Sequence, residues 1–449
     1  MKVLVVGNGG REHAITWKLL QSEKVRQVIC IPGTGGTALM PRCSNLAMNV
    51  SDFEGIARFA LVNGVSLIVI GPEVPLAAGI TDFLQDQGLT VFGPTKLGAQ
   101  IEASKAWAKD LMHEAKIPTA KAAVFTAIDP ALAYVSAQGL PIVIKADGLA
   151  AGKGVTVANT LDQAETAIQD VFGGKFGDAG QRVVIEECLT GQEVSILALT
   201  DGVTIRPLLP AQDYKRIGEG DTGENTGGMG AHAPAAIVTP ALMKRIQQEI
   251  LEPAIAVLHT RNIDYRGVLY AGLMITPQGD PKVIEFNCRF GDPETQVVLP
   301  LLETPLDELL LACVHQRLAE QPAIEWKPGA AACVVMASEG YPDIFQKGKV
   351  ISGVDQAEVG GAMVFHAGTQ SKSQGLITDG GRVLGVTAVG NTLDDALDDA
   401  YAAVKQIQFD GAYYRQDIGH QVRGQGAEIR EKVSTKNLEP ETWNPEPET

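Results

Sequence analysis

Positive charge is in short supply in this chain. Its 449 residues carry 37 Lys and Arg against 53 Asp and Glu, a net charge of −16. Such a surface repels nucleic acid and anionic membrane, so no nucleic-acid or membrane partner is expected and any polyanion must bind in a local basic pocket. Small phosphorylated ligands stay compatible, because helix N-termini and a few guanidinium or ammonium groups hold them locally. Cysteine is sparse. Cys30, Cys43, Cys188, Cys288, Cys313 and Cys333 form no C-x-x-C pair, which argues against a zinc site or a disulfide framework and for buried reduced thiols. Long apolar runs are missing too, and the opening MKVLVVGNGG breaks into glycine after VLVV. A cytoplasmic location is therefore expected. The chain is too long for one hydrophobic core, and length alone points to roughly three domains.

What is present is glycine, 49 residues of it, concentrated where strands are expected to end. The segment KVLVVGNGGREHAITWKLL reads as a buried strand, a glycine turn and an amphipathic helix, with further strands near 27–31, 66–70 and 90–92. This is a parallel α/β domain, whose ligands bind beyond the carboxyl ends of its strands. A dinucleotide fingerprint fails at one position: after Gly7, Gly9 and Gly10, Glu12 stands where the third glycine belongs, and a carboxylate there opposes a pyrophosphate. Arg11 at the helix start fits a single phosphate or sugar phosphate, held by glycine amides, the helix dipole and a guanidinium. The alternative is a glycine turn required only by strand-to-helix geometry.

A helix over about 102–116 follows, with Trp107, Leu111, Met112 and Ala115 on its apolar side and Pro118 beyond its end. Next comes a small loop-rich unit with strands at 141–145 and 182–187 and a helix at 161–171. Between its strands lies ADGLAAGKG, which contains no Walker motif but can fold over a triphosphate through its amides and Lys153. A plain turn is the alternative. Strands are then expected at 193–199, 268–275 and 282–288, and helices near 240–261 and 306–320. The loop AQDYKRIGEGDTGENTGGMGA among them is long and charged enough to be functional. Short strands at 331–337, 363–367 and 382–389 and a helix at 393–407 close the fold, and NLEPETWNPEPET reads as a disordered tail.

The richest stretch is 282–296, KVIEFNCRFGDPETQ. Strand alternation puts Val283, Glu285 and Asn287 on one face and Ile284 and Phe286 on the other. A carboxylate and an amide oxygen on one face suit Mg2+, which borrows its remaining ligands from water and nucleotide phosphates. The alternative is an edge strand with a solvated polar face.

These pieces resemble the ATP-grasp ligases, and among them the glycinamide ribonucleotide synthetases. RFGDPETQ carries most of the resemblance, supported by VGNGGREHA, GPEVPLAAGI, SKAWAKDLM, KADGLAAGKGV, GENTGGMGA and DGGRVLGVTA in the family's order. The fold class implied is α/β: an N-terminal parallel, Rossmann-like domain (1–101), a central ATP-grasp domain (102–121 and 190–327), a small mobile lid (122–189) and a C-terminal mixed β domain (328–436), with 437–449 as the tail. The reaction implied joins glycine to 5-phospho-β-D-ribosylamine with ATP, through glycyl phosphate. The small-molecule partners are these substrates, and the chain is expected as a monomer or weak homodimer.

By resemblance, Glu285 and Asn287 hold Mg2+, with Mn2+ as a substitute. Lys105 and Lys145 contact ATP phosphates, Gly152, Lys153 and Gly154 belong to the lid, Glu186, Glu187 and Leu189 form the adenine hinge, and Glu193 meets the ribose. Gly9, Gly10, Arg11, Glu73 and Pro94 fall where the family contacts phosphoribosylamine. Asp213, Lys215, Arg216, Asn225, Thr226 and Gly227, with Arg289 and Asp292, line the joint substrate pocket. Arg289 suits either the glycine carboxylate or a transferred phosphoryl oxygen. One departure stands out: a histidine is expected after Asp213, where this chain has Tyr214, which argues against essential base work there. Rival readings are a biotin-carboxylase-like or formate-using relative, against which RFGDPETQ argues, an NAD-dependent oxidoreductase, against which Glu12 argues, and a noncatalytic relative.

Overall fold

The structure, a computed structural model, describes residues 1–150, 154–373 and 375–423. Gly152, Lys153 and the expected tail lie outside the described residues. The N-terminal sheet is wholly parallel, in the order Cys43–Asn45, Gln27–Pro32, Lys2–Gly7, Leu67–Ile70, Val91–Phe92. Its inner strands are continuous apolar runs because helices cover both faces. The short strand Cys43–Asn45 is an addition to the sequence expectation; it is a polar edge with little periodicity to read.

An antiparallel sheet of Ile205–Pro207, Gln192–Thr200, Gly267–Ile275 and Pro281–Asn287 forms the centre. A smaller antiparallel sheet stands apart: Ala122–Phe125, Val183–Glu187, Ile142–Ala146 and Val155–Ala158, with its own core of Ile144, Ile168 and Ile185. The helix expected from 102 begins instead at Lys105, because Ser104 turns extended and caps Trp107 N.

The last sheet joins residues far apart in sequence. Gln212–Asp213 pairs with Gly230–Ala233, which pairs with Ala330–Ser338, then Arg382–Gly390 and Met363–His366. The charged glycine-rich loop is thus hydrogen-bonded into the C-terminal layer, on the far side of position 327. Two buried histidines seal that layer to the N-terminal domain: the His366 backbone N–H donates to His13 Nδ1 at 2.7 Å. Of the cysteines, Cys43 and Cys188 are only partly buried, which corrects the expectation that all are.

Candidate active site

A cleft of about 1070 Å³ opens between the small sheet, the central sheet and the C-terminal layer. Its floor is the strand Pro281–Asn287, and here simple alternation is wrong. Gly272 pairs with Glu285 but Leu273 with Val283, so Ile284 is bulged out of register. Val283 consequently turns into the core together with Phe286, correcting the expectation that it shares a face with Glu285 and Asn287. Those two still line the cleft. The bulge has a chemical result: Lys145 Nζ donates to the freed Ile284 carbonyl at 3.1 Å.

At one end of the cleft, three ammonium groups gather. Lys145 lies on the strand Ile142–Ala146 and pairs with Glu186 Oε2 at 3.0 Å. Lys109, one turn beyond Lys105 on the same helix face, reaches Glu186 Oε1 at 3.3 Å. Lys105 Nζ donates to Gly148 O at 2.8 Å, holding the start of the glycine loop. Burial pushes the pKa of Lys105 and of Lys109 down, and Lys145 adds to this in both. Glu186 pairs two of these three ammonium groups, and Glu285 and Asp147 also act on Lys105, so the cluster offers charge-assisted donors that suit a polyphosphate. Gly154, Glu187 and Leu189 line the same end.

Mid-cleft, Lys215 Nζ lies 3.0 Å from Glu193 Oε2 and 3.7 Å from Glu285 Oε1. Burial opposes its charge, yet those carboxylates hold its pKa well above the usual lysine range. Burial likewise opposes ionisation of Glu285, and Lys215, Lys145, Lys105 and Arg289 overcome it and hold its pKa low. A carboxylate whose ionised form is favoured, beside the Asn287 amide oxygen, is a hard-oxygen pair that fits a divalent cation. Asp213 differs: its Oδ1 is buried without a hydrogen-bond partner. Burial, then the neighbouring Glu294 charge, push its pKa well up. Glu294 itself accepts from Ser195 Oγ at 2.8 Å and Tyr270 OH at 2.9 Å.

Arg289 bridges to the N-terminal domain. Nε faces Glu73 at 3.3 Å, Nη2 reaches Glu102 at 2.9 Å and Asn287 Oδ1 at 3.3 Å, and Nη1 donates to Phe290 O at 3.2 Å. Little donor capacity is left for a second bidentate partner. Arg11 is also engaged, with Nε 2.5 Å from Glu12 Oε1 and Nη1 3.2 Å from Phe290 O. Glu12 folds back to accept from Gly9 N at 2.6 Å and fills the space between Gly7 and Gly71, where a Cβ on Gly71 would come within 2.0 Å of its carboxylate. The Gly9 amide is thus already taken.

Arg11, Glu73, Arg216, Asn225, Thr226, Gly227 and Asp292 line the cleft as well. Gly9 and Gly10 do not; a Cβ on Gly10 would meet Gln296. Pro94 is away from it, packed on Gly267 at the junction of the N-terminal and central sheets. Tyr214 is 2% exposed, its ring under the Arg415 guanidinium at 5.5 Å and its hydroxyl 3.4 Å from His232 Nδ1. Sequence reasoning missed Lys109, Glu102, Tyr341 and Arg382, all in the cleft wall, and gave Glu294 no role beyond its place in RFGDPETQ. The spacing from Lys105 signalled Lys109, while Arg382 was marked only by its place in DGGRVLGVTA, which gives it no partner.

Sequence models of the phosphoribosylglycinamide synthetase N domain, ATP-grasp (A) domain and C domain match residues 1–102, 103–295 and 331–421. The chain belongs to the phosphoribosylglycinamide synthetase family. It is 68% identical to the phosphoribosylamine–glycine ligase of Nostoc sp. over 423 residues, 94% of this chain and 100% of the relative. The corresponding ligase of Escherichia coli is 49% identical over 421 residues, covering 93% and 98%. The crystal structure of a phosphoribosylamine–glycine ligase from Thermotoga maritima superposes with a TM-score of 0.80 at 33% identity, covering 93% of this chain and all of that one. A biotin carboxylase from Campylobacter jejuni, at 13% identity with a TM-score of 0.70 and 92% of each chain covered, shares the fold alone. A phosphoribosylglycinamide synthetase is an ADP-forming ligase of purine biosynthesis, and its ATP-grasp fold uses ATP with a divalent metal. Among the described residues no helix is long and apolar enough to cross a membrane.

Proposed function

We propose that this chain joins glycine to 5-phospho-β-D-ribosylamine through glycyl phosphate, using the cleft residues in distinct roles. The observation that carries the reading is the convergence of Lys105, Lys145, Lys215 and the Glu285–Asn287 oxygens on one cavity bordered by Arg289 and Asp213. Lys105 and Lys145 hold the ATP phosphates, and Glu186, Glu187 and Leu189 border the base. Glu193 accepts from the ribose hydroxyls. Glu285 and Asn287 hold Mg2+, or Mn2+ in its place. Bound there, the metal neutralises charge on the transferring phosphoryl group.

A glycine carboxylate oxygen attacks the γ-phosphorus and ADP leaves, giving a mixed anhydride. The ribosylamine nitrogen then attacks the acyl carbon, the C–O bond to phosphate breaks, and the amine releases a proton. Lys215 and Arg289 stabilise the anionic oxygens of the anhydride. Asp213, whose ionised form burial and the neighbouring Glu294 disfavour and whose Oδ1 has no hydrogen-bond partner, faces the amine side of the pocket. Arg11, Glu73 and the 225–227 turn hold the sugar phosphate, with Arg216 beside them. Tyr214 stays out of the chemistry.

The reading divides the chain at 1–101, 102–121 with 190–327, 122–189 and 328–436. It also takes the protein as a cytoplasmic monomer or weak homodimer; the −16 net charge supports solubility without a nucleic-acid partner. The test is ADP release with glycine and freshly generated phosphoribosylamine, added separately and together, and trapping of the acyl phosphate by hydroxylamine. Release requiring both substrates, with glycine hydroxamate formed when hydroxylamine replaces the ribosylamine, is expected. Release indifferent to glycine would sink the reading.

A further inference from the structure

The motif DGGRVLGVTA has no role in the chemistry above, although its arginine reaches the cleft. Arg382 opens the strand Arg382–Gly390 of the C-terminal layer. The two glycines before it are required by close packing: a Cβ on Gly381 would lie 2.2 Å from the Tyr341 ring, and one on Gly380 would lie 2.8 Å from Gly368 Cα. The strand can therefore start close against its neighbours and deliver a long side chain inward.

That side chain ends in a knot of acceptors. Nη1 lies 3.3 Å from Asp292 Oδ1 and donates to the backbone carbonyls of Asp292 at 2.9 Å, Gly227 at 2.5 Å and Gly228 at 3.4 Å. Gly227 N in turn donates to Tyr341 OH at 3.0 Å. Asp292 is itself a junction, accepting from Gln296 Nε2 at 2.7 Å and from the backbone N–H of Arg11 at 3.2 Å. One guanidinium thus fixes the turn of the glycine-rich loop and, through a single carboxylate, the first turn of the N-terminal helix. None of these contacts touches Lys105, Lys145 or Glu186 at the other end.

We propose that Arg382 is a positioning residue for ligation: from the C-terminal layer it sets the 226–228 turn and Asp292 against Arg11, and so aligns the amine-bearing substrate with the acyl group. The inference rests on the reading that Arg11 and the 225–227 turn face phosphoribosylamine. Misplacing reacting groups by about an ångström costs on the order of 100-fold in rate. Arg382→Ala is accordingly expected to lower kcat/KM for phosphoribosylamine by about that factor while KM for ATP stays within roughly twofold of wild type.

The experiment measures kcat and KM for ATP, glycine and phosphoribosylamine separately in wild type, Arg382→Ala, Arg382→Lys and Tyr341→Phe. Lysine keeps the charge but not the fork, so it should recover part of the loss. Tyr341→Phe removes only the acceptor for Gly227 N and should shift the same parameter by a smaller factor, even if Arg382→Ala does not fold. Equal losses for all three substrates, an unchanged phosphoribosylamine term, or a lysine variant no better than alanine would overturn the proposal. A wild-type enzyme that made no product would instead overturn the ligase reading beneath it.

Discussion

Glu186 pairs with two buried ammonium groups, and replacing it with glutamine isolates that arrangement. Glu186 is 3% exposed, Lys145 is 4% exposed and the Lys109 side chain 10%. The carboxylate meets them at 3.0 and 3.3 Å. Removing one partner of a buried ion pair costs about 3–5 kcal/mol, because the other charge is left uncompensated. The amide keeps an acceptor oxygen, and Thr119 and Ala120 still bind Lys109 at 2.8 and 3.2 Å. The loss should then fall near about 3 kcal/mol, the lower end of that range. For a chain of this size that is a fall in Tm of roughly 3 °C.

The same geometry makes a sharper demand. With Glu186 neutral, Lys109 and Lys145 repel across the site, so deleting one of them should help. Lys109→Met is expected to destabilise the wild type but to harm Glu186→Gln less, with a coupling of about 1–2 kcal/mol between the two positions. Urea unfolding of the four proteins of the cycle measures this directly. Additive effects, or Glu186→Gln with an unchanged midpoint, would refute the idea that this carboxylate compensates both lysines.

Glu285→Gln should abolish metal-dependent ADP release while leaving the protein folded, since one anionic ligand is lost from the cleft; normal turnover with unaltered Mg2+ dependence would identify a different ligand. Arg11→Ala should weaken use of phosphoribosylamine more than use of ATP, in steady-state measurements of each KM, and an equal effect would move Arg11 out of the sugar-phosphate pocket. Burial pushes His366 down to about 4, and burial, then the His366 charge, push His13 well below its usual value. The unfolded chain binds protons on both below about pH 6.5 and the folded chain does not, so stability should fall as pH drops from about 6.5 toward 4. His366→Gln should flatten that slope in urea midpoints taken across the range, and an undiminished slope would assign the acid sensitivity elsewhere.

Much of the fold was legible because its strands are written in apolar runs broken by glycine. The N-terminal parallel sheet, the central strands and the Glu285–Asn287 pair all follow from periodicity and from motif order. The bulge at Ile284 was not legible: one extra residue leaves no mark on composition, yet it decides that Val283 enters the core and that Lys145 gains a carbonyl. Pro94 sits in a glycine-bordered turn like the others, but the packing of Gly267 against it makes it a joint between sheets. Lys109 could have been found from its helical spacing to Lys105. Arg382 could not, because its acceptors lie about the 226–228 turn and Asp292, contacts that only the tertiary fold creates.

The pairing of Gly230–Ala233 with Ala330–Ser338 also bears on when the enzyme becomes competent. Gly230 faces Val334 and Ala233 faces Ala331, so the loop's returning strand finds its neighbour only about a hundred residues later in synthesis. Until then its backbone groups form an open edge, the kind that recruits other chains. The lysine-rich end of the cleft draws on residues up to Ile284 and can assemble while the chain is still growing, whereas the 212–233 loop waits for the C-terminal layer. A ribosome stalled before that layer would therefore carry a nascent chain in which Lys109, Lys145 and Glu186 can already meet while the strand Gly230–Ala233 still lacks its neighbour.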